Sequence, residues 1–226
     1  MKLLLIYDIH GRSEWIPSDD QINEVDKVIF GGDYFDSFDR KFDEQLFTFN
    51  KIIDIKEKYG DKIIILWGNH DIQYYYTERN LICSGYQSEH AHTINIVLTN
   101  AVRNKYLQFA WQYSNHIFTH AGVTTYVVNA INEKHPELYQ MVLNKELQLA
   151  DIINQTELDF YFNIERSGNH IYSGIFWIRP KYLDKARLLG YHQHVGHTYV
   201  GDIYKGYLES KWINYYDGLG ITKIEI

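Results

Sequence analysis

Residue types that can hold a divalent cation or move a proton recur along this chain directly after short apolar runs. Asp8 and His10 follow Leu3 to Tyr7, and Asp33 and Asp36 follow Lys27 to Phe30. Asn69, His70 and Asp71 follow Lys62 to Trp67, His120 follows His116 to Phe118, and His197 follows His192 to Val195. Carboxylates, imidazoles and an amide oxygen without a thiolate suit borderline or hard divalent ions such as Mn²⁺, Fe or Zn²⁺, and do not suit a structural zinc cage. So many oxygen and nitrogen donors exceed what one small ion takes. A carboxylate bridging two ions about 3.5 to 4 Å apart accommodates them, as in two-metal phosphate chemistry.

An apolar run that ends abruptly in such a cluster reads as a buried strand delivering side chains to its carboxyl edge, where open α/β sheets place ligands. Asp8 and His10, two residues apart, project from one face if the segment is extended. Gly11 lets the chain turn, and Gly31-Gly32 lets backbone approach closely. Phe42 to Tyr59 predicts a helix with Leu46, Phe49, Ile53 and Ile55 on its apolar stripe and Gly60 past its end. Strand, helix, strand is the parallel βαβ unit, whose right-handed crossover brings the Asp33 and Asn69 strand ends to neighbouring positions. Tyr74 to Tyr76 and Tyr86 cover the core or rim a cleft, and His90 and His92 resemble a ligand pair by spacing alone.

In the second half, helices are expected over Val123 to Asn132 and Pro136 to Ile153, the latter with proline in its first turn. Ile171 to Ile178 predicts a strand ended by Pro180, which leaves Arg179 at its terminus. His192 and His194 share a strand face as structural histidines, whereas His197 lies in the turn after Gly196. Lys211 to Tyr216 and Ile221 to Ile226 predict a hairpin closed around Asp217 to Gly220.

The 226 residues suit one domain, 1–226, and 45% hydrophobic content with 16% aromatics supports an aromatic-rich core. A formal net charge of −7 argues against whole-molecule attraction to nucleic acid or an anionic membrane. One cysteine, Cys83, excludes an internal disulfide and fits a reducing compartment. The apolar start is shorter than a secretion signal needs, and no run approaches the ~20 residues of a membrane span. The expectation is a cytoplasmic protein.

Taken in order, Asp8-x-His10-Gly11, Gly32-Asp33-x-x-Asp36, Gly68-Asn69-His70-Asp71, His120-Ala121-Gly122 and Gly196-His197-Thr198 resemble the signature of calcineurin-like metallophosphoesterases. The His-Ala-Gly and Gly-His-Thr forms are similar to the branch that holds serine/threonine protein phosphatases and diadenosine tetraphosphate hydrolases; Tyr199 stands where other branches carry a further histidine. The resemblance implies an α/β fold, a four-layer αββα sandwich of two mixed β-sheets flanked by helices. It implies two divalent metal ions, Mn²⁺ first with Fe or Zn²⁺ as alternatives. Asp8 and His10 would hold the first ion, Asp33 would bridge, and Asn69, His120 and His197 would complete the second. His70, oriented by Asp36, would protonate the leaving oxygen of a phosphate monoester during in-line attack by a metal-activated hydroxide. The implied partner is a phosphorylated substrate, a phosphoprotein or a nucleotide, with no stable nucleic-acid or membrane association. The chain departs from the branch at Ser37, where an arginine usually binds the substrate phosphate. Arg179 or Arg40 would supply that charge. A scaffold that kept the fold without turnover is the alternative of another class, and the full ligand set argues against it.

Overall fold

A computed structural model describes residues 1–199 and 212–226. The chain forms two compact units, Met1–Gln108 with Gly218–Ile226, and Phe109–Asp217. Each contains one mixed sheet with helices against it, the α/β arrangement expected from the sequence. No helix among the described residues is long and apolar enough to cross a membrane.

In the first unit β1 (Lys2–Ile6), β2 (Lys27–Phe30), β3 (Ile63–Leu66) and β4 (Leu107–Gln108) run parallel, and β9 (Thr222–Glu225) closes the sheet antiparallel to β1. The order is β4-β3-β2-β1-β9. Leu3 to Ile6 and Ile63 to Leu66 are buried without alternation, the pattern of strands covered on both faces. A short helix, α1 (Asp19–Asn23), starts from a reciprocal Ser18 and Gln21 capping box. The main crossover helix, α2 (Phe42–Tyr59), has the expected bounds. Glu44 accepts the Lys41 amide at its start, and Lys56 Nζ donates to the Gly60 and Ile63 carbonyls at its end. Its buried stripe differs from the apolar one read in the sequence: Gln45, Thr48, Phe49 and Ile52 face inward. Two polar residues take core positions because their partners are there, Thr48 Oγ1 donating to the Gly11 carbonyl at 3.0 Å and Gln45 Oε1 accepting the Ser37 amide. Burial of Phe49 and Ile52 stabilises the helix on the sheet by about 1.5 to 3 kcal/mol each. Beyond β3 come α3 (Asn69–Tyr75) and α4 (Ala91–Arg103), which pack together.

The second unit holds β5 (Ala110–Tyr113), β6 (His116–Thr119), β7 (His192–Val195) and β8 (Ile213–Tyr215), in that order, with β5 antiparallel and the others parallel. Its helices are α5 (Thr125–Lys134), α6 (Pro136–Leu143), α7 (Leu149–Thr156) and α8 (Pro180–Lys185). The single helix expected from Pro136 to Ile153 is therefore two. Lys145 adopts a left-handed φ of 63°, and Asp151 accepts the Gln148 amide to start α7 afresh. The strand expected over Ile171 to Ile178 is absent, because its amides are taken elsewhere: Gly174 N donates to the carbonyl of Asn163 on a preceding segment, and Trp177 N closes a turn onto Gly174 O. Pro180 accordingly opens α8 and does not end a ladder, with Arg179 as the residue before the helix. The expected terminal hairpin is also absent. β8 pairs with β7 in one sheet and β9 with β1 in the other, so the two arms take existing strand edges in place of each other; Lys211 lies outside the described residues.

Candidate metal and acid site

The first unit carries Asp8, His10, Asp33, Asp36, Asn69 and His70 on the segments that follow β1, β2 and β3. Asp8, His10, Asp33 and Asp36 have φ of 52°, 42°, 57° and 61°, the left-handed region that non-glycine residues seldom occupy. The chain thus curls at the sheet edge, and the extended geometry assumed for Asp8-x-His10 does not exist. Strain of this kind gathers at functional sites.

Close backbone approach brings the β2 and β3 segments together. A Cβ on Gly32 would stand 2.5 Å from the Gly68 nitrogen, and one on Gly68 would stand 2.1 Å from the Asp33 nitrogen. Asp71, fully buried, ties them: its carboxylate accepts the Asp33, Tyr34 and Gly68 amides at 2.8, 2.8 and 2.9 Å. Burial and then the Asp33 charge raise its carboxyl pKa, while these three amides oppose the rise. Asp33 Oδ1 in turn accepts the His70 amide at 2.9 Å.

Asp8 and Asp33 are both buried, and each offers a carboxylate oxygen within 4.8 Å of the other. His10 Nδ1 bonds the Phe35 carbonyl at 2.6 Å, which fixes the proton on Nδ1 and leaves Nε2 as a lone pair. That Nε2 lies 3.7 Å from Asp33 Oδ2. Burial lowers the His10 pKa against the raising pull of Asp33, so the ring is held toward its neutral form. Two acceptors therefore face each other beside a second buried carboxylate. A cation among them relieves the repulsion, and neutral imidazole with carboxylate is the donor set a borderline divalent ion takes. Asn69 is the first residue of α3, and its Nδ2 turns toward Cys83 Sγ at 3.5 Å. Cys83 is buried, its thiol pushed up chiefly by desolvation, consistent with a packed, unreactive group that orients Asn69.

His70 follows Asn69 in the helix and so diverges from it by helical rotation, not by strand alternation. Its Nδ1 is 2.8 Å from Asp36 Oδ2. Asp36, fully buried, is the hub of a polar network that also takes donors from Tyr74 OH, Gln73 Nε2 and Gln87 Nε2. Burial works to lower the His70 pKa, but the Asp33 charge, then the Asp36 hydrogen bond and charge, outweigh it and carry it to about 9. Tyr74 is locked by stacking on Tyr86, with ring centroids 4.9 Å apart.

In the second unit, His120 follows β6 and His197 follows β7 with φ 65°. Gly196 N donates to the His120 carbonyl at 2.8 Å, and the two imidazole rings meet edge-on at 5.2 Å. Trp177 packs edge-on against His197 at 6.2 Å. Arg179 Nε donates to the Ser167 carbonyl at 3.3 Å. His194 is structural, bonded to His116 and to Tyr216 OH at 2.9 and 3.0 Å, and burial followed by the neighbouring His116 and His192 lowers its pKa to about 3. His192 stacks on His116 and packs at a tilt against Trp212. In the first unit His90 stacks on Phe42 at 3.8 Å, and Arg40 Nη2 pairs with Glu14 at 2.5 Å.

The structure sets the six ligand candidates and the His70 and Asp36 pair on segments that follow strands, as the sequence implied, and it adds contacts that the sequence did not show. Asp71 carried a signal, a carboxylate three residues after Gly68 at a helix start. Tyr74 was legible only as a tyrosine that covers the core or rims a cleft, and Gln73, Gln87 and the Phe35 carbonyl carried no signal.

A sequence model of the calcineurin-like phosphoesterase family matches residues 1–219, and the chain belongs to that family. No curated protein matches it. Among solved structures it is similar to a serine/threonine phosphatase from Saccharomyces cerevisiae with similarity to human phosphatase PP5, at 12% identity and TM-score 0.48 over 88% of this chain and 61% of that one. It is similar to a cold-active protein tyrosine phosphatase at 18% identity and TM-score 0.44, over 87% and 64% of the two chains. A metallophosphoesterase from Sphaerobacter thermophilus matches at 16% identity and TM-score 0.29, over 54% and 47%. The chain thus spans less than two thirds of the length of each.

Proposed function

We propose that this protein is a metal-dependent phosphomonoesterase in which Asp8, His10, Asp33, Asn69, His120 and His197 hold two divalent ions, and in which the two units work as one domain. The observation that carries the reading is the lone pair of His10 Nε2 set 3.7 Å from Asp33 Oδ2 beside Asp8. Two such ions, Mn²⁺ first with Fe or Zn²⁺ as alternatives, would polarise the phosphoryl group and make water nucleophilic near neutral pH. His70 stands as the general acid. It holds its proton on a ring oriented by Asp36 and gives it to the leaving oxygen. A cation at Asp33 removes the largest contribution raising the His70 pKa, which eases that transfer. Arg179 is favoured over Arg40 as the phosphate clamp because Arg40 is engaged by Glu14.

The motif forms favour a serine/threonine phosphoprotein as substrate, and Ser37 in place of the usual arginine favours a diadenosine tetraphosphate or a nucleotide as the second reading. The same proposal sets the protein in the cytoplasm with a phosphorylated substrate as its partner. A net charge of −7 and a single cysteine support that setting, and no stable nucleic-acid or membrane association is expected.

The test is a panel of phosphopeptides, mononucleotides, dinucleoside polyphosphates and cyclic phosphodiesters with Mn²⁺, run beside elemental analysis. Two metals per chain and monoester turnover are expected, and Asp33→Asn should lose both. At most one metal under saturating Mn²⁺, or no turnover of any ester, refutes the proposal.

A further inference from the structure

A carboxylate orients a neighbouring imidazole only when its other lone pairs are taken, because an empty one lets it turn or draw in water. Asp36 is fully buried, so its partners must come from the protein. An ionised carboxylate accepts about four hydrogen bonds. At Oδ2 Asp36 meets His70 Nδ1 at 2.8 Å and Gln73 Nε2; at Oδ1 it meets Tyr74 OH, and Gln87 Nε2 at 3.4 Å. His70 thus holds one acceptor position, and neutral side chains hold the rest.

Main-chain groups, whose roles as donor or acceptor cannot reverse, set the direction of these bonds. Tyr74 OH accepts the Gln87 amide at 2.7 Å, which leaves the hydroxyl hydrogen for Asp36. Gln73 Oε1 accepts the Cys83 amide at 2.8 Å, so Nε2 is the end that faces Asp36 and the flipped amide is excluded. Gln87 Nε2 also donates to Gln45 Oε1 at 2.9 Å, and Gln45 is fixed in turn by the Ser37 amide on Oε1 and the Arg40 carbonyl on Nε2. With these donors aimed at it Asp36 can only accept, so His70 Nδ1 carries the hydrogen of their shared bond. The proton available to a leaving oxygen is then the one on Nε2. Packing holds the same frame. The Tyr74 ring stacks on Tyr86 and meets Phe35 edge-on at 6.4 Å, and Asn95 Nδ2 donates to the Tyr74 carbonyl at 2.7 Å. Gln73 Nε2 also donates to the His70 carbonyl at 3.3 Å, which joins the network to the backbone of the acid itself.

Resting on the proposed phosphomonoesterase reading, we infer that Tyr74 and Gln73 are positioning residues for the acid. Acting on opposite oxygens of Asp36, they fix the carboxylate so that the remaining lone pair faces His70 Nδ1 and the imidazole is held in the orientation from which Nε2 gives its proton. Both act through Asp36, and their effect belongs to the leaving-group step.

The experiment measures kcat/KM with Mn²⁺ for glycerol 2-phosphate, an alkyl ester, and for p-nitrophenyl phosphate, whose leaving oxygen scarcely needs a proton. The proteins are the wild type, Tyr74→Phe, Gln73→Met, His70→Asn and the double variant Tyr74→Phe with His70→Asn. Tyr74→Phe keeps the ring contacts and removes only the donor. A hydrogen bond to a charged acceptor corresponds to about 10- to 100-fold, so the alkyl ester should slow by up to about that factor. The aryl ester should slow by less than about 3-fold, and Gln73→Met should show the same pattern. In the His70→Asn background Tyr74→Phe should change the alkyl rate by less than about 2-fold, because its effect passes through His70. A merely structural role would slow both esters alike and would add to His70→Asn, and either result overturns the inference. An alkyl-to-aryl ratio within about 2-fold of the wild type in either single variant overturns the assignment of that residue. Absent turnover of both esters by the wild type refutes the phosphatase reading instead. Proton NMR of chelator-treated, ¹⁵N-histidine-labelled protein at fixed pH then decides the positioning. The His70 Nδ1 proton, assigned by its loss in His70→Asn, should appear far downfield in the wild type and move or broaden in Tyr74→Phe and Gln73→Met. Its absence from the wild type, or an unchanged resonance in the variants, overturns the role of Tyr74 and Gln73.

Discussion

Asp71→Asn isolates the clamp that sets the β2 and β3 segments side by side. In the native protein Oδ2 accepts the Asp33 and Gly68 amides and Oδ1 accepts the Tyr34 amide, all inside a fully buried site. The amide that replaces the carboxylate has one acceptor oxygen. Its better orientation keeps the two donors on the Oδ2 side and turns the NH₂ toward the Tyr34 amide, so one hydrogen bond to a charged acceptor becomes a donor facing a donor. Losing such a bond with a buried N–H left unmet costs about 2 to 4 kcal/mol. The neutral side chain escapes its own burial penalty and the repulsion of Asp33, which offsets part of this. The expected net loss is about 2 kcal/mol, and Asp71→Ala, which orphans all three amides, should lose about 4 kcal/mol or more. Urea unfolding of chelator-treated protein, followed by tryptophan fluorescence, gives both values from the midpoint at constant slope. The Asn variant should also gain less stability from added Mn²⁺, because Asp33 is carried on the loosened segment. An Asn variant within about 0.5 kcal/mol of the wild type, the range of an ordinary surface substitution, would refute the clamp.

His70→Asn should retain both metals while slowing alkyl phosphate hydrolysis by about 10²- to 10⁴-fold, with p-nitrophenyl phosphate suffering less because its leaving oxygen scarcely needs a proton. Equal slowing of alkyl and aryl esters, or loss of a metal on elemental analysis, would make His70 a clamp or a ligand. In metal-free protein the folded His70 pKa of about 9 stands above the ordinary 6.5, so its contribution is complete below pH 6.5 and is lost as pH rises through 9. Urea midpoints of chelated wild type should therefore fall relative to His70→Asn between pH 6 and 9.5, by at most about 3 kcal/mol in free energy; parallel pH profiles would refute the charge environment assigned to His70. Arg179→Ala should raise KM for phosphate esters, and lower kcat as well if its contact tightens in the transition state. Steady-state kinetics unchanged from wild type would return the clamp to Arg40.

The sequence by itself determined which segments carry the candidate site. Continuous apolar runs such as Leu3 to Ile6 and Ile63 to Leu66 can be stable only when buried on both faces, so they had to be strands, and the polar residues after them had to emerge at the sheet edge. Phe42 to Tyr59 was equally legible, because a helix of that length carries its own start and stop signals. The tertiary structure decided how those residues face one another. Left-handed turns at Asp8, His10, Asp33 and Asp36 depend on the backbone of neighbouring segments, which no local periodicity encodes. Gln45 and Thr48 entered the core of α2 because the loops after β1 and β2 supplied partners, so pairing overrode polarity. The same holds for 171–178, where β-branched and aromatic residues read as a strand but distant carbonyls such as that of Asn163 claimed the amides. The terminal arms of the chain likewise took the strand edges left open by β1 and β7, a choice made by the assembled sheets and not by the Asp217 to Gly220 turn between the arms.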